Sequence, residues 1–156
     1  MNPAELYFAH ATGPRNNEGT LPPLVILHGL FGSSRNWTSI ARLLADERDV
    51  YCLDARNHGD SPHADTHTLT DLRDDLKGWM DSQSFAQPPI VIGHSMGGMA
   101  AMACARAHPD SMQALVVVDS APREYPPHHQ REFEALELAV AGCASRGEVD
   151  ARMQQI

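Results

Sequence analysis

Short apolar runs alternate with longer stretches of helical periodicity along the chain, and the alternation predicts strands and helices in turn. Leu6 to Ala9 predicts a first strand, and the polar segment Gly13 to Gly19 predicts a turn leading to another. Pro23 to His28 (PLVILH) and Val50 to Leu53 (VYCL) have the β-branched, continuous apolar character of buried strands. Between them, Trp37 to Asp46 predicts an amphipathic helix with Ile40, Leu43 and Leu44 on its apolar face. Asp54 to His67 is crowded with Gly, Pro, Asn and His and reads as a loop. A helix capped by Thr70 or Asp71 should run through Met80, burying Leu72, Leu76, Trp79 and Met80. Ile90 to Ile92 predicts a strand, 96 to 108 a helix and Leu115 to Val118 another strand.

This order predicts an α/β fold, a doubly wound and mostly parallel sheet with helices on both faces. In such a sheet, functional groups gather where the strands' carboxyl ends open. His28 to Gly32, Asp54, Ser95 and Asp119 all lie at the carboxyl ends of predicted strands. Past Asp119 the character changes. Ala121 to Pro127 (APREYPP) is a proline-broken loop, Gln130 to Gly142 predicts a helix carrying Phe133, Leu136, Leu138 and Val140, and a second helix is expected from near Glu148. The division falls between residues 1–122 and 123–156.

The most specific chemistry lies in Ile90 to Gly98, IVIGHSMGG, where Gly93 to Gly97 form a GxSxG elbow around Ser95. A serine on a sharp strand-to-helix turn presents its hydroxyl as a nucleophile, and glycine at both flanks removes collisions between strand and helix. The plainer alternative is a helix cap. A serine acyl transfer also needs a base, an acid that orients the base, and donors for the oxyanion. The backbone N–H of Met96, the residue after the nucleophile, is one expected donor. The second is expected from His28-Gly29-Leu30-Phe31-Gly32, at the N–H of Leu30 with Phe31 a close second, and Leu30 and Phe31 would line an acyl pocket. A glycine-rich connecting turn is the alternative there.

Charge narrows the field of partners. A formal charge of −8 and a pI near 5.5 disfavour nucleic acid and anionic membrane surfaces. The first residues, MNPAELY, form neither a basic leader nor an apolar signal, and no apolar run reaches membrane-spanning length, so a cytoplasmic location is expected. Cys52, Cys104 and Cys143 are odd in number and lack CxxC spacing, which predicts idle thiols, with neither disulfides nor a zinc site. No metal or organic cofactor is expected.

LVILHGLFGSSRNW, DARNHGDSP, VIGHSMGG and LVVVDSAPREY together resemble the α/β-hydrolase superfamily, in particular its small cytosolic bacterial carboxylesterases. In that subgroup a helical cap follows the sixth strand and the triad acid follows the same strand, so the resemblance implies Asp119 as acid and 123–156 as the start of the cap. An aspartate at a strand end is otherwise a cap or a partner for a cation such as Arg123. Asp54, Arg56, Asn57 and His58 match a loop that ties itself down. His94 occupies a variable elbow position, with its ring expected to point away from the base, and His28 is expected to pack beneath the oxyanion loop. The family's catalytic histidine follows the last strand, so it is expected beyond residue 156 together with strands seven and eight. None of the nine histidines matches its place, and His128 and His129 read as solvated surface.

The resemblance thus implies a serine carboxylesterase or thioesterase that acts through an acyl-enzyme on small esters, with little activity in this length of chain. The alternatives are a non-catalytic binding module, or an acyltransferase or lyase on the same scaffold. The Leu115 to Val118 strand would present an exposed edge, open to self-association or to a complementing C-terminal chain.

Overall fold

The computed structural model describes residues 4–13, 21–123 and 130–155, without the side chains of 130–132. Five strands form one sheet: β1 (Phe8–Ala11), β2 (Leu24–Leu27), β3 (Val50–Leu53), β4 (Ile90–His94) and β5 (Ala114–Val118). Their order across the sheet is β1-β3-β2-β4-β5. All pairings are parallel except that of β1 with β3. The mostly parallel α/β architecture is therefore as expected.

The central strands lie where continuous apolar runs put them, because a strand covered on both faces admits no polar alternation. All four residues of β2 are buried. β1 lies two residues later than Leu6 to Ala9. Leu6 anchors in the core, the Tyr7 N–H donates to Ser61 Oγ at 2.8 Å, and the Tyr7 carbonyl accepts from the Asp54 N–H at 2.9 Å. Ladder pairing then begins at Phe8 opposite Leu53.

One face of the sheet carries α2 (Leu69–Ser82) and α3 (Met96–Ala107), packed against each other. Leu72, Leu76, Trp79 and Met80 are buried as expected, but the helix starts earlier than Thr70 or Asp71. Thr68 is the cap: its hydroxyl accepts from the Asp71 N–H while the Asp71 carboxylate accepts from the Thr68 N–H at 2.9 Å. This reciprocal box satisfies two otherwise orphaned donors. These bonds hold the Asp71 carboxyl at a pKa of about 2, well below its ordinary 3.8. Thr68→Ala should cost about 1 kcal/mol, measurable as a lower urea midpoint with an unchanged slope.

On the other face, Ser34–Trp37 forms a 3-10 turn leading into α1 (Thr38–Leu44). Here the expected apolar face is overturned. Ile40, Leu43 and Leu44 are exposed, Leu43 at 81%, whereas Ala41 and Ala45 are buried against Leu24, Ile26, Val50 and Cys52. Small residues let the helix lie close to the sheet, and that proximity leaves its larger side chains outward. β5 is an edge strand with alternating burial, so Val116 and Val118 are exposed while Leu115 and Val117 are partly covered.

Residues 1–122 and 123–156 are two compact units. The second contains α4 (Gln130–Val140) and α5 (Arg146–Met153). α4 ends two residues before Gly142, whose φ of 72° lies in the left-handed region. α5 begins two residues before Glu148, because Ser145 caps it by accepting from the Glu148 N–H at 3.3 Å. Arg152 ties the pair by donating to the Leu138 carbonyl at 3.2 Å. Most of the expected Gly13 to Gly19 turn, the later part of Ala121 to Pro127, and His128 and His129 lie outside the described residues.

Candidate active site

His28, Asp54, Ser95 and Asp119 are each the first residue after a parallel strand, and the strand ends are aligned to within one residue. The sheet therefore delivers an imidazole, a hydroxyl and two carboxylates to one edge. The backbone is strained there. The non-glycine residues with positive φ among the described residues are Phe31 (60°), Asn57 (64°), Ser95 (50°) and Asp119 (56°), one in each loop at that edge. Such conformations persist only where neighbours over-determine them, and they concentrate at functional sites.

Ser95 has φ 50° and ψ −114° between β4 and α3. Its N–H donates to the Val118 carbonyl at 2.8 Å, and its carbonyl accepts from the Met99 N–H at 3.0 Å, so both sides of the turn are fixed. A Cβ at Gly93 would stand 2.5 Å from the Gly97 carbonyl oxygen, and one at Gly97 would stand 2.6 Å from the His28 carbonyl oxygen. The turn closes only without those side chains. The Ser95 hydroxyl has no hydrogen-bond partner among the described residues.

The loop after β2 lies against this elbow. A Cβ at Gly29 would be 2.8 Å from His94 Nδ1 and 3.3 Å from Ser95 Cβ. Leu30 is partly buried against the core, whereas Phe31 is 63% exposed. A cavity of about 470 Å³ opens here, with Leu30, Phe31, Trp37, Ile40 and His94 in its wall. The Asp119 side chain is 84% exposed, and His94 Nε2 lies 3.9 Å from its Oδ2.

Beneath the loop, His28 is buried. Its Nδ1 donates to the Gly29 carbonyl at 2.7 Å and its Nε2 accepts from the Ala55 N–H at 3.1 Å. One acceptor and one donor partner assign the neutral Nδ1–H tautomer. Burial lowers its pKa and keeps it neutral. Asp54 accepts from the backbone N–H groups of Ser34 and Asp60, the latter at 2.8 Å, and so joins the loops after β2 and β3.

Arg56 is buried and forks onto Asp75 with bonds of 2.6 and 2.7 Å, with Asp71 3.3 Å away. The hydrogen bond to Asp75 raises the Arg56 pKa further, so the guanidinium stays charged. Asp75 also accepts from the Ala4 N–H at 2.6 Å. The cluster was not anticipated, although its signal is present: Asp71 and Asp75 lie one turn apart on the buried side of α2. All three cysteines are free, Cys52 and Cys104 buried. Burial pushes the Cys52 thiol up to about 11. No helix among the described residues is long and apolar enough to cross a membrane.

Comparison with known proteins agrees with this geometry. The family model described as alpha/beta hydrolase fold matches residues 22–142. The mouse (Mus musculus) sn-1-specific diacylglycerol lipase ABHD11 is 43% identical over 109 residues, which cover 69% of this chain and 35% of that protein. A probable alcohol acetyltransferase of Saccharomyces cerevisiae is 44% identical over 105 residues, covering 65% of this chain and 31% of that one. Among solved structures, a marine microorganism esterase superposes with a TM-score of 0.83 at 36% identity, covering 97% of this chain and 58% of its own. The chain thus spans about a third of the length of these curated relatives. By the match across residues 22–142, and by the sheet and elbow that those residues build, the chain belongs to the α/β hydrolase family.

Proposed function

We propose that Ser95 is the nucleophile of an acyl transfer on a small ester or thioester. The observation that carries this reading is the strained φ of 50° at a serine held between a parallel strand and a helix N-terminus. A cap would not require that strain; an exposed nucleophile does. In the reaction, Ser95 Oγ attacks the carbonyl carbon and its proton passes to a base. The carbonyl oxygen becomes an oxyanion that accepts from the Met96 and Leu30 N–H groups. Collapse expels the alcohol or thiol, and water releases the acid from the acyl-enzyme. Asp119 is the acid that orients the base, and Phe31 borders the acyl group.

No imidazole is bonded to the Ser95 hydroxyl among the described residues, so this length of chain should turn over slowly. Loss of one triad member leaves about 10³- to 10⁴-fold catalysis over water. An external base makes the nucleophile testable. With p-nitrophenyl acetate and imidazole in the buffer, the native chain should release nitrophenolate at least about tenfold faster than Ser95→Ala, part of the 10²- to 10⁴-fold that a positioned base contributes. Equal rates would remove Ser95 from the mechanism.

An acyltransferase is the second reading, supported by the yeast relative named as a probable alcohol acetyltransferase. It differs only in the final acceptor, an alcohol in place of water. Adding a short alcohol during turnover separates the two by whether ester or acid accumulates.

A further inference from the structure

Three histidines from two loops stand in a column beside the elbow. The His28 and His58 rings are 5.0 Å apart between centroids, and His58 and His67 are 5.4 Å apart. The inner end, His28, grips the Gly29 carbonyl at the root of the oxyanion loop. In the middle, His58 Nδ1 donates to the Arg56 carbonyl at 3.0 Å. At the outer end, His67 Nε2 lies 3.4 Å from Met96 Sδ. A thioether only accepts, so that nitrogen carries the hydrogen. The column therefore connects the loop that supplies Leu30 with the residue that supplies the Met96 N–H.

We propose that His58 and His67 are positioning residues for the oxyanion site, forming with His28 an imidazole brace that loosens when His67 takes up a proton. The proposal rests on the assignment of Met96 and Leu30 as oxyanion donors.

The surroundings of His28 and His67 favour their neutral forms. His28 cannot accept a proton at Nε2 without losing the Ala55 N–H. His67 is exposed overall, but its Nε2 faces the buried Met96 thioether, which solvates an imidazolium less well than water, so protonation favours a ring turned away from Met96. Neighbouring rings at this spacing also disfavour a second charge. The other charged groups facing the column act in both directions. Arg56 and His94 oppose protonation, while Asp54, Asp71 and Asp75 favour it. Burial is the largest cause of the lowered pKa at both His28 and His67, and His58 lowers each further. Both folded values thus lie below the ordinary 6.5. The brace stabilises the fold fully above that pH, and its contribution is lost as pH falls toward the lowered values.

The experiment is a ¹⁵N NMR titration of the 156-residue chain from about pH 8 to about pH 5, the range in which histidine changes charge. The Met96 and Gly29 amide resonances should move together with the His67 imidazole midpoint. In His67→Gln, which keeps an N–H donor but cannot titrate, that movement should be lost. In His58→Gln the His67 midpoint should shift upward. Met96 and Gly29 amides that stay fixed in the native chain, or that move equally in His67→Gln, would overturn the proposal even if the His58 variant failed to fold. The outcome is independent of the imidazole-assisted assay: an inert Ser95 beside a titrating Met96 amide rejects the nucleophile and keeps the brace, and a reactive Ser95 beside a fixed amide does the reverse.

Discussion

Arg56→Met should lower stability by about 3–5 kcal/mol, the cost of leaving buried charge unpaired. The side chain of Arg56 is only 6% exposed and that of Asp75 only 1%. Removing the cation strands Asp75, whose two oxygens otherwise accept from the guanidinium and from the Ala4 N–H. It also withdraws a neighbour from Asp71. Urea denaturation at neutral pH checks the magnitude. A paired replacement, Arg56→Met with Asp75→Leu, should recover much of the loss, because the desolvation cost of both ions disappears together. A double variant no more stable than the single one would mean that the ion pair itself, beyond avoidance of a stranded charge, holds α2 to the β3 loop.

Gly97→Ala should cost about 3 kcal/mol, the upper end for inserting one methyl group into a packed core. The added carbon would meet the His28 carbonyl oxygen at 2.6 Å, and Leu27 Cβ and the Leu27 carbonyl oxygen at 2.7 Å. Two of these are backbone atoms of the segment that leads into the loop after β2, so no side-chain rotation relieves the contact. α3 must retreat from β2, and the Met96 N–H retreats with it. The thermal midpoint should fall, and the imidazole-assisted rate should fall further than the fraction of unfolded protein accounts for. A variant of native stability would show that α3 shifts at little cost.

The legibility of the chain followed the physics of each segment. β3 coincided with its expected bounds because Val50 to Leu53 is a fully apolar run stopped by Asp49 and Asp54. The elbow was legible because its glycines are required by backbone contacts that a short motif encodes. The cap of α2 was obscured by Thr66, Thr68 and Thr70 in close succession, any of which has a capping hydroxyl. For α1, periodicity located a stripe of large apolar residues, but the small residues Ala41 and Ala45 determine which side approaches a sheet closely. The histidine column was illegible for a different reason. His28 follows β2 whereas His58 and His67 share the long loop after β3, so their proximity depends on the pairing of β2 with β3 and on the path of that loop.

Asp119 shows the same limit at the scale of one residue. Its place after the last described strand was readable, and so was its chemical type. Its left-handed backbone and its 3.9 Å approach to His94 were not, because both depend on pairing with β4.

The hydrogen bond from the Ser95 N–H to the Val118 carbonyl bears on the order in which the chain acquires its site. Parallel pairing has no local partner, so β2 must wait for β3 and then for β4, and each closure forfeits the entropy of a long intervening loop before any contact repays it. During synthesis the elbow's residues leave the ribosome well before Val118. Until β5 docks, nothing from that strand holds the serine in its unfavourable left-handed conformation, and an ordinary helical or extended geometry is open to it. The strained serine turn is thus among the last features of the sheet to mature, and a nascent chain stopped short of β5 would carry the motif without its shape.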